Sequence, residues 1–235
     1  MFVREHHRDI ALVLSNLDAS LLRAHHCYFG GGTAIVLLNN EFRESVDIDF
    51  LVSDNESFRD LRLMAKAGFD NFFRTGAARI KPLRDVKIDQ YGIRAQLDVG
   101  ERGIKFEIIS EGRIKFDTPS IEHQVCGVAA LTELDLVASK LLANSDRWAD
   151  AGVFCRDVID LAMLQPSMKL FCAGMEKADA AYGDSVGRDL LSAIKRLKLN
   201  PSLLERSISA LSIQVPQALL WQRIRALGKL VERAC

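Results

Sequence analysis

Apolar residues recur along the chain with two different spacings. In the first 125 residues, short stretches alternate apolar and polar positions as strands do, and helical segments with apolar residues every three or four positions lie among them. Beyond residue 131 almost only the helical spacing remains. The pattern therefore predicts an α+β domain over residues 1–125 and a helical domain over residues 126–235.

Periodicity and turn-forming residues define the individual elements. The chain opens with an amphipathic helix whose apolar positions extend from Ile10 to Leu21, and Thr33 is predicted to cap a helix that ends at Leu38. Gly100 to Gly103 form a hairpin turn. Strands are predicted at 27–29, 46–52, 93–99 and 103–109, and further helices at 55–67, 131–146, 151–164, 167–181, 185–199 and 217–234.

Composition narrows the class of protein. Hydrophobic residues make up 49% of the 235 residues and charged residues 26%, which is typical of a globular chain. No apolar stretch approaches the roughly 18 residues of a membrane span, and charges precede any apolar stretch at the N-terminus, unlike a secretory signal. We expect a soluble cytoplasmic protein with no membrane partner. The five cysteines lack CxxC spacing and the histidines fall in adjacent pairs or alone, so neither predicts a metal site.

The charge is balanced overall but not locally. Lys and Arg number 31, as do Asp and Glu, yet basic residues dominate two segments. Such patches suit a polyanion such as RNA, although solvated helix faces are the commoner explanation. The basic residues are Arg74, Arg79, Lys81, Arg84 and Lys87 in the first segment, and Arg188, Lys195, Arg196, Lys198, Arg206, Arg223, Arg225, Lys229 and Arg233 in the second.

Two neighbouring motifs carry candidate chemistry. Asp47 and Asp49 are one residue apart on a predicted strand, so both carboxylates project from the same face. Mg²⁺ binds one or two carboxylates together with phosphate oxygens, and would relieve the repulsion between them. The glycines at 30–32 lack Cβ atoms, so the backbone at the start of the next helix can approach a phosphate. A phosphate cradle beside a metal pair is what nucleotidyl transfer requires.

These motifs resemble the nucleotidyltransferase superfamily, which places a glycine-rich turn before a strand bearing Asp-x-Asp. More closely, Gly31-Gly32-Thr33-Ala34 followed by Arg43-x-Ser45-x-Asp47-Ile48-Asp49 is similar to the AbiEii/AbiGii-type toxin family, the abortive-infection nucleotidyltransferases. The resemblance implies a mixed-sheet nucleotidyltransferase core with a C-terminal helical bundle, and covers about Gly30 to Leu164. It assigns Mg²⁺ to Asp47 and Asp49, and assigns NTP binding to Gly31, Gly32, Thr33, Arg43 and Ser45.

The family also carries a third carboxylate on a later strand and a lysine in the helical part. Lys105-Phe106-Glu107 matches the third-carboxylate motif, which makes Glu107 the candidate metal ligand and general base, with Asp98 as its competitor. Lys140 matches the family lysine and is the candidate triphosphate contact. Asp157 and Asp160 match its later acidic helix, either as part of the nucleotide site or as partners that fasten the helices.

The resemblance implies a Mg²⁺-dependent enzyme that transfers a nucleoside monophosphate from an NTP to a hydroxyl. The implied acceptor is RNA, at the tRNA 3′ end, and the implied role is the toxin of a toxin–antitoxin or phage-defence pair with a separately encoded antitoxin. Two alternatives stay open: a transferase acting on a small molecule or protein, and a non-catalytic module that binds nucleotide or RNA.

Overall fold

The computed structural model describes residues 2–76, 80–100 and 103–234. Within them, ten α-helices and seven strands form two compact units, one made of residues 1–38 and 45–132 and the other of residues 39–44 and 133–235. The helices are α1 Glu5–Asn16, α2 Ala19–Ala24, α3 Gly31–Leu38, α4 Asn55–Ala67, α5 Glu133–Arg147, α6 Arg156–Leu164, α7 Met168–Tyr182, α8 Ser185–Leu199, α9 Pro201–Ala210 and α10 Gln217–Ala234. The strands are β1 Tyr28–Gly30, β2 Asp47–Val52, β3 Lys87–Ile88, β4 Gly92–Leu97, β5 Ile104–Ser110, β6 Gln124–Val125 and β7 Val128–Ala129.

The first unit is built on a five-stranded mixed sheet with strand order β1-β2-β5-β4-β3. Strands β2 and β5 are parallel, whereas the other neighbouring pairs are antiparallel. This confirms the predicted fold class, a mixed-sheet α+β core accompanied by a helical bundle.

One face of the central strands forms the core of this unit. Ile48 and Phe50 of β2 are fully buried, as are Phe106 and Ile108 of β5. The rings of Phe50 and Phe106 lie 5.7 Å apart, and Phe69, which follows α4, contacts Phe106 edge-on at 5.5 Å. Such aromatic pairs add to the free energy gained from burying their area. Because side chains alternate along a strand, packing this face fixes the opposite face as the one that carries the polar residues.

Two local predictions differ from the structure near the N-terminus. The opening helix ends at Asn16, because Leu17 is extended and the Asp18 carboxylate accepts a hydrogen bond from the Leu21 amide to cap a second helix. Helix α3 begins at Gly31, so the prediction that Thr33 is its N-cap is wrong.

The second unit is a helical bundle. Helix α5 packs against α6, α7 and α8, and α10 packs against α6 and α8. Gly174 on α7 makes the close packing possible, since a Cβ there would lie 2.6 Å from Val137 Cγ1 on α5. The predicted helix over 151–164 starts with a 3₁₀ turn, and α6 begins only after Phe154 and Cys155 adopt left-handed backbone angles. Helix α9 was not predicted.

Some predictions concern residues outside the described ranges. These are Glu101 and Arg102 in the hairpin turn, Arg79 in the first basic segment, and Cys235. Across the ranges that the structure does describe, no helix has the length and apolar character needed to cross a membrane.

Candidate active site

Strand β2 carries the two candidate metal ligands on the face opposite the core. Asp47 and Asp49 are half-buried, whereas Ile48 and Phe50 between and after them are fully buried. The parallel register with β5 pairs Asp47 with Lys105 and Asp49 with Glu107. The burial of the apolar residues therefore fixes a row of three carboxylates and one ammonium group across two adjacent strands, called here the acidic row.

Gly31 brings the start of α3 against this row. It has a φ of +67°, and a Cβ placed on it would lie 2.4 Å from Asp49 Oδ2. The neighbouring Gly30 pairs with Asp49 in the antiparallel register of β1 and β2. Only glycine fits both the backbone angle and the contact, so the eight-residue helix begins beside the Asp49 carboxylate. The amide groups at a helix start attract anions such as phosphate.

Replacing Gly31 with alanine should therefore damage this site. The left-handed angle and the overlap with Asp49 together should lower the free energy of unfolding by about 1–3 kcal/mol, and displace the Asp49 carboxylate. Thermal denaturation and nucleotide binding measure the two effects. Gly112→Ala is the matched control, because no atom of the described residues beyond its chain neighbours lies within 4 Å of an added Cβ. Equal stability and equal nucleotide affinity in the two variants would contradict the importance of this contact.

Thr33 and Ser45 stabilise the strand that carries the aspartates. The Thr33 hydroxyl donates to the backbone carbonyl of Asp47 at 2.5 Å, and lies 2.8 Å from the Ser45 hydroxyl. The Ser45 amide in turn donates to Nε2 of His7, a fully buried histidine, at 3.2 Å. Any phosphate contact by this part of α3 is thus expected from backbone amides. Sequence reasoning missed His7, whose partner lies 38 residues away.

Glu107 is held by two cations. Arg94 Nε on β4 lies 3.0 Å from Glu107 Oε1, and the Lys105 ammonium contacts Oε2. Burial lowers the pKa of Lys105, but its hydrogen bond to Glu107 and the charges of Glu107, Asp47 and Asp49 outweigh burial and raise it. Lys105 is therefore a firmly protonated group within the acidic row. Neither Lys105 nor Arg94 was predicted as a site residue.

Asp98, the competing third carboxylate, lies elsewhere. It is exposed, follows the end of β4, and its backbone amide donates to the Lys81 carbonyl. Strand β5 separates β4 from β2 in the sheet, whereas Glu107 is the direct register partner of Asp49. The sheet order thus favours Glu107 for a role beside the aspartates.

The carboxylates of the acidic row differ in how well they fit a divalent cation. In the described ranges, no group of three or more His, Cys, Asp and Glu side chains is arranged to hold a metal ion, and Glu107 is instead turned towards Lys105 and Arg94. Two carboxylates on one strand face nevertheless match Mg²⁺, which takes its other ligands from phosphate and water. Asp47 and Asp49 therefore fit the ion as a pair, and the three-carboxylate set stays a prediction.

The helical unit contains the other predicted residues in one buried cluster. Lys140 Nζ lies 3.0 Å from Asp157 Oδ1 and 2.8 Å from Asp160 Oδ2. Arg43 binds both oxygens of Asp160, at 2.8 and 2.9 Å, and Arg147 binds both oxygens of Asp157, at 2.7 and 2.8 Å. The helix stripe that predicted inward-facing acids is confirmed by these contacts.

Charge in this cluster is unbalanced. Burial raises the pKa values of Asp157 and Asp160, but the charges of their Lys and Arg partners outweigh it and hold both pKa values below the ordinary range. Both carboxylates are therefore ionised, and within the buried cluster three cations face two anions, while the exposed Asp146 also acts on Arg147. The ion pairs of Lys140 fasten α5 to α6, and Lys140 and Arg43 stay predicted nucleotide contacts.

The described residues of the basic segments are mostly exposed. Arg74, Lys81, Arg84 and Lys87 are all solvent-exposed in the first unit. In the helical unit Arg196 is partly buried and donates to the Trp148 carbonyl at 2.9 Å, and Arg223 is also partly buried. The remaining members of the second segment are exposed: Arg188, Lys195, Lys198, Arg206, Arg225, Lys229 and Arg233.

Comparison with known proteins identifies the family. No curated protein matches the chain. Two solved structures share its fold: JHP933 from Helicobacter pylori, with a TM-score of 0.54 and 16% identity over 100% of this chain and 93% of that one, and a presumed nucleotidyltransferase from H. pylori, with a TM-score of 0.50 and 15% identity over 99% and 96%. The model of one sequence family, nucleotidyl transferase AbiEii toxin of type IV toxin–antitoxin systems, matches residues 13–229. The chain therefore belongs to the AbiEii family of nucleotidyl transferase toxins.

Proposed function

We propose that this protein is a Mg²⁺-dependent enzyme that transfers a nucleoside monophosphate from an NTP to a hydroxyl of RNA. The observation that carries the proposal is the contact of Asp49 with Gly31, which joins the carboxylate pair to the start of α3. Carboxylates that hold a metal and amides that hold phosphate are the two requirements of the reaction. Both lie within one unit of the fold.

In this proposal Asp47 and Asp49 hold Mg²⁺, which when bound neutralises phosphate charge and favours attack at the α-phosphorus. The backbone amides of Gly31, Gly32 and Thr33 bind phosphate oxygens. The acceptor hydroxyl oxygen forms a bond to the α-phosphorus while the bond to the bridging oxygen breaks, and pyrophosphate leaves. Glu107 accepts the hydroxyl proton at a carboxylate oxygen. Lys105 and Arg94 orient that carboxylate through their ion pairs with it.

Substitutions that neutralise each carboxylate distinguish between Glu107 and Asp98 as the general base. Glu107→Gln should lower kcat by about 100-fold or more, since general-base catalysis typically contributes 10²–10⁴-fold. Asp98→Asn is the control and should leave kcat unchanged. A strong loss of kcat in Asp98→Asn with an active Glu107→Gln would assign the third carboxylate to Asp98 instead.

Two observations support RNA as the acceptor. The exposed basic residues of both segments could neutralise several phosphates, and each phosphate contact steepens the salt dependence of binding. The family is a toxin family, and modification of an RNA needed for translation would account for toxicity. A cytoplasmic location, a separately encoded antitoxin and a role in phage defence belong to the same proposal.

Labelling tests the acceptor. The protein is incubated with Mg²⁺ and each NTP labelled at the α-phosphate, together with total RNA, cell protein or an aminoglycoside. We expect one NTP to label an RNA of tRNA size, and omission of Mg²⁺ or the Asp49→Asn substitution to abolish the label. Label in protein or in the aminoglycoside alone would replace RNA by that acceptor. Absence of label in all arms would contradict the proposed function.

A further inference from the structure

Two cavities in the helical unit meet at one arginine. The first, of about 300 Å³, lies between α6 and α10 and is lined chiefly by apolar residues such as Leu161 and Leu227. The second, of about 290 Å³, is lined by the segment before β2, the end of α6 and residues 214–215. Arg223 and Gln165 line both cavities. The two cavities therefore form one cleft, called here the amide cleft.

The lining of the amide cleft has an unusual composition. Five of the fourteen Asn and Gln residues in the chain line it, and among its described lining residues none is acidic. A primary amide offers a donor and an acceptor side by side, which is also the pattern on the edges of nucleobases. The cleft therefore offers base-edge contacts next to an apolar wall. The five amide residues are Asn39, Asn40, Gln165, Gln214 and Gln222.

Within the described residues, the guanidinium group of Arg223 in this cleft meets no strong acceptor. Its Nη1 donates to the sulfur of Met163 at 3.0 Å, and a thioether is only a weak acceptor. Its Nε is shielded from solvent and makes no hydrogen bond to any described residue. A guanidinium group offers a planar fork of donors that matches the oxygens of a phosphate. An oxyanion in the cleft would give the guanidinium group a stronger acceptor than the thioether that it meets among the described residues.

We propose that the amide cleft binds a single unpaired nucleotide, with its phosphate at Arg223 and its base among the amide side chains. A peptide carboxylate could also contact Arg223, but a carboxylate only accepts hydrogen bonds and does not match the paired donors and acceptors of five amide side chains. The two cavities of the amide cleft, of about 300 and 290 Å³, are each at the lower end for small-ligand pockets, so the cleft admits one nucleotide rather than a duplex. The nucleotide is either free or part of a single strand. The link to RNA deepens the proposed function and rests on it, but no lining residue belongs to the candidate catalytic set.

Calorimetric titration tests the proposal without catalysis. The protein in EDTA is titrated with AMP, CMP, GMP and UMP, with inorganic phosphate, with an unstructured oligoribonucleotide, and with an oligoglutamate peptide. Arg223→Met should weaken mononucleotide binding by about tenfold or more, because it removes a charge-assisted contact. Arg225→Met, on the same helix but exposed and outside the cleft, is the matched control and should change mononucleotide affinity by less than about twofold.

The titrations distinguish a free nucleotide from a nucleotide that is part of an RNA strand. Tighter binding of the oligoribonucleotide than of any mononucleotide, lost in Arg223→Met, assigns the cleft to an RNA strand, and the reverse order assigns it to a free nucleotide. The double variant Gln214→Ala, Gln222→Ala should weaken binding of mononucleotides but not of phosphate, and serves if Arg223→Met fails to fold. Equal losses in Arg223→Met and Arg225→Met, phosphate binding as tight as that of mononucleotides, or saturable binding only of an oligoglutamate peptide would each overturn the proposal. If mononucleotides bind as expected but the protein shows no transfer activity, the proposed function is wrong and the assignment of the amide cleft stands.

Discussion

Asp47→Asn and Asp49→Asn should each abolish nucleotidyl transfer in a protein that still folds. Loss of one metal-holding carboxylate removes several kcal/mol of transition-state stabilisation, so we expect kcat/KM to fall by about 1,000-fold or more. Both side chains are half-buried and asparagine has nearly the same shape as aspartate, so stability should change by less than about 0.5 kcal/mol. Removing one of two repelling carboxylates even favours the metal-free protein.

The same change at an exposed aspartate provides the control. Asp85→Asn removes one negative charge from the same unit, outside the acidic row, and should leave both activity and stability unchanged. Steady-state kinetics and thermal denaturation check the three variants. Activity within tenfold of the parent in Asp47→Asn or Asp49→Asn would refute the metal assignment.

Asp160→Asn should have the largest effect on stability. Asp160 is fully buried. It accepts two hydrogen bonds from Arg43 and forms an ion pair with Lys140. Its neutralisation leaves the buried Arg43 without its carboxylate and Lys140 with Asp157 alone, and breaking a buried pair in this way costs about 3–5 kcal/mol. For a chain of this length, the melting temperature should fall by roughly 6–20 °C.

Comparison with Lys140→Met sharpens this prediction. That substitution removes one cation but leaves each aspartate with its own arginine, Arg43 or Arg147, so the loss of stability should be smaller than in Asp160→Asn. Glu232→Gln, exposed on α10, is the control and should change the free energy of unfolding by less than about 0.5 kcal/mol. Equal stability of Asp160→Asn and the parent would contradict the fastening role of the cluster.

Acid should weaken the cluster in a direction set by the pKa shifts. The pKa values of Asp157 and Asp160 are lower in the folded protein than in the unfolded chain, where the pKa of Asp is about 3.9. Their stabilisation is therefore fully present above that pH, and is lost as the pH falls from there through the folded values. Asp160→Asn should lose less stability than the parent between neutral pH and about pH 3.

Sequence alone predicted the features that depend on local pattern. Alternation along β2 placed Asp47 and Asp49 on one face, and the glycines before Leu38 predicted the turn into α3. Thr33 was assigned wrongly because composition does not show that Gly31 adopts a left-handed angle, which lets the helix begin two residues earlier. The resemblance noted for Gly30 to Leu164 also proved too short, since the family match extends from residue 13 to residue 229.

The local sequence pattern could not predict contacts between residues that lie far apart in the chain. The ion pair between Arg94 and Glu107 depends on the register of β4 with β5, and the bond between Ser45 and His7 depends on where α1 packs. Arg43 reaches Asp160 across 117 positions because residues 39–44 belong to the helical unit, a grouping that no contiguous boundary describes. The boundary predicted between residues 125 and 126 stays a prediction.

The central claim is transfer of a nucleoside monophosphate, and the fate of the phosphate label tests it most directly. The NTP that supports modification is supplied with label at either the α- or the γ-phosphate, and RNA and small products are separated. The account predicts α-label in RNA, γ-label in pyrophosphate in equal molar amount, and neither in Asp49→Asn. Transfer of γ-label to RNA, or RNA without label from either NTP, would contradict it.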